Sequence, residues 1–187
     1  MDTLKLYDFP KEVIEEAYNI YKQLGPYLNR KNHILKVLFC VYNAYLNLGL
    51  VMDILILAYK LKVPQKKVKN VFKLCSPIET GYLFKQIRFT TEQYAKLYLE
   101  NVTGLSMEQK NIIMNEYVKD IIEKNDETLI NEKPQSLAAA IIIYFLEKRK
   151  LQDALNELKQ KLYRKITTIN TLVTTVGNVI NKSSKRN

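Results

Sequence analysis

The fold of this chain is decided by residues 133–144, which read KPQSLAAAIIIY. Pro134 suits the first turn of a helix, where its missing N–H costs no hydrogen bond, and the three alanines let neighbouring helices approach closely. The apolar run covers too wide an arc for a half-exposed surface helix, and at about ten residues it is too short to span a bilayer. This stretch therefore predicts a buried helix at the centre of a helical core.

Two more helices are predicted downstream, separated by a basic turn. The first covers residues 151–163, where leucines and an alanine recur at helical spacing. A helix, a turn and a second helix form a nucleic-acid-docking arrangement when the outer face is basic, as it is here. The second helix carries Thr and Asn on one face and an apolar stripe on the other, formed by Ile169, Leu172, Val173, Val176, Val179 and Ile180.

Upstream, hydrophobic periodicity and boundary signals predict six further helices. Gly25-Pro26 should end the first of them, and Thr90 and Ser106 should cap the fifth and sixth. With only five glycines and five prolines, the expected fold class is all-α. In the fourth helix, the side chains expected to face inward are those of Val68, Val71 and Phe72. The predicted ranges are 11–24, 30–48, 51–61, 65–74, 90–103 and 107–124.

The composition indicates a folded protein without a membrane span. Hydrophobic residues make up 47% of the 187, and the chain has no apolar run of roughly 18 residues. The N-terminal residues lack the basic and apolar regions of a secretory signal. Cys40 and Cys75 lie in apolar helical surroundings, where reduced core thiols are expected. We therefore expect an intracellular protein that is not secreted.

Positive charge is concentrated in two blocks of the sequence. The formal net charge is +10. Residues 60–73 carry six lysines and no acid, and residues 147–187 carry ten Lys and Arg against three acids. The blocks hold +6 and +7, which leaves −3 for the rest of the chain. Such concentration favours a polyanionic partner, and binding should weaken with salt because each neutralised phosphate releases counterions.

The sequence holds no pattern typical of an enzyme or a metal site. His33 is the single histidine, and its place near a predicted helix start is typical of a surface or half-buried residue. The chain has no Gly-rich phosphate loop, no Gly-x-Ser-x-Gly and no Cys/His cluster. We expect a binding protein with no catalytic residue, cofactor or metal.

The two halves of the chain share an order of predicted elements. Each has a helix, a long apolar helix, a short helix, a turn and a basic or polar helix, and the basic blocks fall on equivalent helices. A shift of about a hundred residues aligns the halves, which favours an internal repeat. The aligned pairs are Leu35 with Leu137, Tyr42 with Tyr144, Val68 with Ile169, and Phe72 with Val173.

Residues 134–140, PQSLAAA, together with Tyr144 resemble the signature of the second cyclin repeat in the transcription factor IIB family. In that family a similar helix precedes a helix-turn-helix. Thr168-Ile169-Asn170 is similar to the family's Thr-Ile-Arg at the start of the final helix. The resemblance covers roughly residues 11–181 and is more specific in the second half than in the first.

The resemblance implies two tandem cyclin-like helical repeats, the second ending in a helix-turn-helix. By position, the first repeat would cover residues 1–76 and the second residues 90–182. Residues 77–89 would be a linker, and residues 183–187 a basic tail. The composition, rich in Lys, Ile and Asn, suggests a viral relative, as in large cytoplasmic DNA viruses. Such a protein would act in the nucleus or in a viral factory in the host cytoplasm.

The family implies the core of a transcription initiation factor. Such a core binds double-stranded promoter DNA with TATA-binding protein and helps to recruit RNA polymerase. Its last helix-turn-helix enters the major groove beside the TATA element, where residues matching Thr167 and Asn170 read bases. Asn in place of the family's Arg should favour A·T, because Asn pairs with adenine N6/N7 and Arg with guanine O6/N7. The chain has no Cys-x-x-Cys, so the family's N-terminal zinc ribbon has no counterpart in it.

The expected DNA-binding residues form three groups. Cations around the turn before the last helix should hold phosphates, and the short uncharged face of that helix should approach base edges. Lysines of the first block should contact the DNA backbone. The full set is Lys161, Arg164, Lys165, Thr167, Thr168, Asn170, Thr171, Thr174, Lys66, Lys67, Lys69 and Lys73.

The alternative is a cyclin-type regulatory subunit that docks a protein and does not bind DNA directly. It would use an apolar or mixed surface and would need no basic terminal helices, so the two charge blocks favour DNA. A third interpretation is a virus-specific helical scaffold that binds RNA or lipid through its lysines. A large apolar helix face open to solvent would favour the lipid version.

Overall fold

The computed structural model describes residues 7–28, 33–73, 82–83, 85–162 and 166–183. All regular secondary structure within these ranges is helical, which confirms the predicted all-α class. The chain divides into two compact units, unit 1 at Met1–Arg88 and unit 2 at Phe89–Asn187. None of the helices in the described ranges is long and apolar enough to cross a membrane.

Unit 1 is built on two long helices packed along each other. Its elements are α1 (Lys11–Leu28), α2 (His33–Asn47), α3 (Ile54–Lys60), α4 (Gln65–Val68) and a 3-10 turn at Val71–Lys73. The buried face of α1 repeats at intervals of three or four residues, as Val13, Ala17, Ile20 and Leu24, and it packs against α2. Cys40 on α2 is buried in the core, as expected, whereas Cys75 lies outside the described residues.

Helix α1 does not end at Gly25-Pro26, so that predicted boundary is wrong. Pro26 lies inside the helix, which continues to Leu28. A proline removes one helical hydrogen bond and crowds the preceding turn. Here only two residues follow it in the helix, so the disturbance is confined to a terminal turn. Leu24, 2% exposed, anchors the turn before it in the core.

Local capping chemistry sets the boundaries around α3. Gly49 has a φ of 72°, and this left-handed residue lets the N–H of Leu50 bond the carbonyl of Tyr45 at 2.9 Å after α2 ends. Asp53 is buried, and its carboxylate accepts from the N–H of Leu55 at 2.8 Å. This N-cap starts α3 at Ile54, three residues later than the sequence predicts.

The predicted helix at 65–74 is a short α-turn followed by 3-10 geometry. Val68 and Val71 are buried as expected, but Phe72 is 52% exposed, so its predicted inward position is wrong. In 3-10 geometry, residues three apart share a face. Val68 and Val71 therefore point to the core together, and the residue after Val71 is turned away from it. The alignment of the two halves pairs Phe72 with Val173. Val173 is buried and Phe72 is exposed, so the two positions differ in burial.

Unit 2 contains six α-helices and one π-helical segment in its described part. Thr90 and Gln93, and then Ser106 and Gln109, form reciprocal capping boxes, which confirms both predicted caps. The elements are α5 (Thr91–Glu100), α6 (Met107–Ile112), a π segment (Ile113–Val118), α7 (Lys119–Lys124), α8 (Pro134–Lys148), α9 (Gln152–Leu162) and α10 (Ile166–Ser183).

The π segment divides the helix that the sequence predicts over 107–124. The N–H of Lys119 bonds the carbonyl of Met114, five residues back, so the helix is locally wider. This shift keeps Ile113, Val118 and Ile121 buried. It places Ile122, which a constant helical period would group with the buried Val118, at an edge where it is 39% exposed.

Helix α8 is the centre of unit 2, as the sequence predicts. Pro134 occupies its first turn, and every residue from Leu137 to Ile143 is buried, as are Phe145 and Leu146. Helices α5, α9 and α10 and the π segment all pack against it. The amide of Gln135 donates to the hydroxyl of Tyr94 on α5 at 2.8 Å, which fixes the N-terminal end of α8.

Candidate nucleic-acid interface

The last helix, α10, presents an uncharged polar stripe to solvent. Its predicted apolar stripe is buried throughout, which leaves the opposite side of the helix exposed. Because that side carries no charged residue before Lys182, it can approach base edges without desolvating a charge. The exposed members that define this polar stripe are Asn170, Thr171, Thr174, Asn178 and Asn181.

Close packing on α8 positions the polar stripe. A Cβ atom at Gly177 would lie 2.8 Å from Cε2 of Tyr144, so α10 approaches α8 at a distance that only glycine permits. The hydroxyl of Tyr144 donates to Oδ1 of Asn181 at 3.4 Å. Tyr144 therefore contacts both the core of unit 2 and the exposed face of α10.

Two threonines of α10 use their hydroxyl protons within the helix. Thr174 donates to the carbonyl of Asn170 at 3.1 Å, and Thr175 donates to that of Thr171 at the same distance. Each hydroxyl keeps acceptor lone pairs, and Thr174 is exposed. An exposed Asn amide is both donor and acceptor and can pair bidentately with adenine. The stripe thus has the chemistry for reading A·T pairs.

The predicted turn residues differ in their surroundings. Lys161 is only 21% exposed, and its ammonium donates to the carbonyl of Asn101 and to Glu157 at 2.6 Å. This engagement argues against a phosphate contact by Lys161. Arg164 and Lys165 lie outside the described residues. Residues 167 and 168 belong to the first turn of α10, but their side chains also lie outside the described part.

A second group of cations is exposed at the C-terminal end of α8. The Nζ of Lys148 lies 5.7 Å from the ring centre of Tyr144, and the Cζ of Arg149 lies 5.8 Å from the ring centre of Phe145. Lys150 has a φ of 56°, a left-handed conformation that glycine adopts more easily. The sequence shows this basic run, yet our predicted site omits it, together with Asn178 and Asn181. The four-residue spacing of Asn170, Thr174 and Asn178 is visible in the sequence and indicates that the polar stripe continues to Asn178.

The four lysines of the first block that belong to the predicted site lie in unit 1, between the start of α4 and the end of the 3-10 turn. Lys66, Lys69 and Lys73 are exposed, and Lys67 is half-buried. The four ion pairs found among the described residues involve other lysines. Among the described residues, these four lysines therefore form none of the ion pairs with acidic side chains.

The described residues contain no group of three or more His, Cys, Asp or Glu side chains that could hold a metal ion. In comparisons with known proteins, no protein-family model, no curated protein and no solved structure matches the chain. The function must therefore be inferred from the geometry and chemistry of the residues.

Proposed function

We propose that this chain is a transcription initiation factor core that resembles transcription factor IIB. In this proposal it binds double-stranded promoter DNA together with TATA-binding protein and helps to recruit RNA polymerase. It is a binding protein and not an enzyme. The observation that carries the proposal is the polar stripe of α10, an uncharged Asn/Thr face with exposed Lys182 at its C-terminal end.

The order of α9 and α10 supports a helix-turn-helix. Residues 163–165 separate the end of α9 from the start of α10, and Leu155, Leu158 and Leu162 of α9 are buried. A recognition helix in such a motif lies in the major groove with its N-terminal residues at base edges. In α10 those residues are Thr167, Asn170, Thr171 and Thr174.

Matching helix ends support the tandem-repeat part of the proposal. After α2, the N–H of Leu50 bonds the carbonyl of Tyr45 at 2.9 Å, and after α8 the N–H of Leu151 bonds that of Leu146 at 2.9 Å. A left-handed residue precedes the donor in both, Gly49 in unit 1 and Lys150 in unit 2. These ends lie about a hundred residues apart, the shift that aligns the two halves.

The proposal is tested by titrating a labelled A/T-rich duplex with the full chain and following fluorescence anisotropy. Asn170→Ala should weaken binding by about 1–3 kcal/mol on duplexes that present the paired adenine, and less on G/C-rich duplexes. Asn111→Ala is the matched control, because Asn111 is an exposed asparagine on α6. It should leave the affinity unchanged.

Absence of duplex binding at low salt would overturn the proposal and favour a protein-docking subunit. The observation that favours this second function is a groove of about 190 Å³ in unit 2. Ile122 and Ile130 line it and are 39% and 56% exposed, and Asp126 and Glu132 lie at its edge. An apolar groove with acidic edges suits an aliphatic and basic protein segment better than DNA.

A further inference from the structure

Phe72 in unit 1 is an aromatic side chain held in solvent. More than half of it is exposed, although the helical pattern places it with the core residues Val68 and Val71. Its ring makes a T-shaped contact with Tyr42, with centroids 5.9 Å apart and an interplanar angle of 79°. This contact restrains the ring on one side and leaves the remaining ring surface available to a ligand.

The backbone aligns Phe72 with two exposed lysines. Hydrogen bonds to the third preceding residue recur from Lys67 to Pro64, from Asn70 to Lys67 and from Lys73 to Asn70, at 2.8–3.1 Å. In such geometry, side chains three residues apart lie above one another. Lys66, Lys69 and Phe72 therefore share one face, and we call them the Phe72 platform.

We propose that the Phe72 platform binds single-stranded nucleic acid by stacking a base on the Phe72 ring while Lys66 and Lys69 hold the backbone. Aromatic rings beside cations are the common means of binding single strands without sequence preference. A paired duplex does not expose its base faces, so the platform selects single strands. The inference rests on the proposed function, because it assigns a second nucleic-acid class to lysines already proposed to bind DNA.

The surrounding charge distinguishes a nucleic acid from a protein ligand. Residues 60–73 contain six lysines and no acid, so a basic partner segment would be repelled. Lys60 is engaged elsewhere, with its ammonium bonded to the carbonyl of Asp8 and 4.5 Å from the ring centre of Phe9. The lysines closest in sequence to Phe72 remain exposed to a polyanion.

The chain contains no tryptophan, so Phe72→Trp creates a single tryptophan reporter on the platform, which can be excited selectively over the tyrosines. We expect oligothymidylate to quench its emission in a saturable manner, because a stacked base quenches indole fluorescence. Met107→Trp is the matched control, since Met107 is 73% exposed on α6 in unit 2. Its emission should not change. Equal quenching of both reporters, or of neither, would overturn the proposal.

A binding measurement without a reporter completes the test. Phe72→Leu keeps an apolar side chain but removes the ring, and it should raise the Kd for labelled oligothymidylate about tenfold, while Phe72→Tyr should retain wild-type affinity. Phe72→Leu should leave duplex binding unchanged, and Asn170→Ala should change duplex binding alone. The two proposals can therefore fail separately. Base stacking would be overturned if Phe72→Leu lowered the affinity for duplex and for single strand equally. It would also be overturned if polyglutamate quenched the emission of Phe72→Trp.

Discussion

At the scale of single residues, Glu157 has the most hydrogen-bonded carboxylate in the described structure of unit 2. It accepts from the N–H of Thr103 at 2.9 Å, from that residue's hydroxyl at 3.0 Å and from the N–H of Gly104 at 3.3 Å. The ammonium of Lys161 donates to it at 2.6 Å. The carboxylate thus joins the turn after α5 to helix α9.

The pKa of Glu157 is lowered from its ordinary 4.5. Partial burial is the largest single influence and acts upward, but the hydrogen bonds from Lys161, Thr103 and Gly104 together outweigh it. A carboxyl whose pKa is lower in the folded chain stabilises the fold above its unfolded pKa. That stability is lost as the pH falls from 4.5 through the folded pKa.

We expect Glu157→Gln to destabilise unit 2 by about 1–2 kcal/mol at pH 7, because charge-assisted bonds become neutral ones. The destabilisation should shrink as the pH falls from 4.5 through the lower folded pKa, because the wild-type carboxyl is neutral below that pKa, as glutamine is at every pH. Urea unfolding followed by circular dichroism between pH 3 and pH 7 measures both effects. Asp153→Asn, at an exposed acid of the same helix, is the control. An unchanged pH dependence in Glu157→Gln would contradict this account.

Lys161 shows what residue-level sequence reasoning can and cannot supply. Its four-residue spacing from Glu157 is visible in the sequence and indicates an ion pair. Its second partner, the carbonyl of Asn101, is sixty residues away and is brought close only by the packing of unit 2. Our prediction of a phosphate contact considered the charge of Lys161 without these partners.

At the scale of elements, the contact between α8 and α10 depends on one glycine. Tyr144 fills the space beside Gly177, with Cε2 2.8 Å and Cδ2 3.3 Å from where a Cβ would be. Alanine would favour the helix by about 1 kcal/mol over glycine, but overpacking costs about 1–3 kcal/mol. The steric term should exceed the helical one.

We therefore expect Gly177→Ala to destabilise the chain by about 1 kcal/mol in urea unfolding. In a Tyr144→Leu background the obstructing ring is absent, so Gly177→Ala should instead stabilise it by about 0.5–1 kcal/mol. The sign reversal is the diagnostic result of this double-mutant cycle. The same sign in both backgrounds would show that Tyr144 does not set the spacing of α8 and α10.

The sequence predicted which segments form helices more reliably than it predicted where a helix is interrupted. Capping residues such as Thr90 and Ser106 act on their own neighbours, so their signals are local and were confirmed. The π segment and the 3-10 turn at Val71–Lys73 change the period of a helix within a single pattern. Helical periodicity assumes one constant period. This assumption misplaced Phe72, and it would also group the exposed Ile122 with the buried Val118.

At the scale of the whole molecule, each of the two basic blocks falls in a different unit. Residues 60–73 belong to unit 1, and residues 147–187 belong to unit 2. Charge blocks are visible in the sequence, but which of their members are exposed is not. Lys66 and Lys150 are exposed, whereas Lys161 is engaged with Glu157 and Asn101. In our proposals the block in unit 2 binds duplex, whereas the block in unit 1 also binds single strands.

This division predicts how salt affects duplex binding. Replacing Lys148, Arg149 and Lys150 together by Gln should lower the slope of log K against log salt by up to about 0.9 for each phosphate that the protein no longer neutralises. The control is the triple variant of Lys96, Lys119 and Lys133 to Gln, which removes the same charge from exposed positions outside both blocks. Anisotropy titrations of one duplex at several salt concentrations measure both slopes. If local phosphate binding dominates, only the first variant changes the slope. If net charge alone attracts DNA, the two variants weaken binding equally, which would show that the cations at the end of α8 do not hold phosphates.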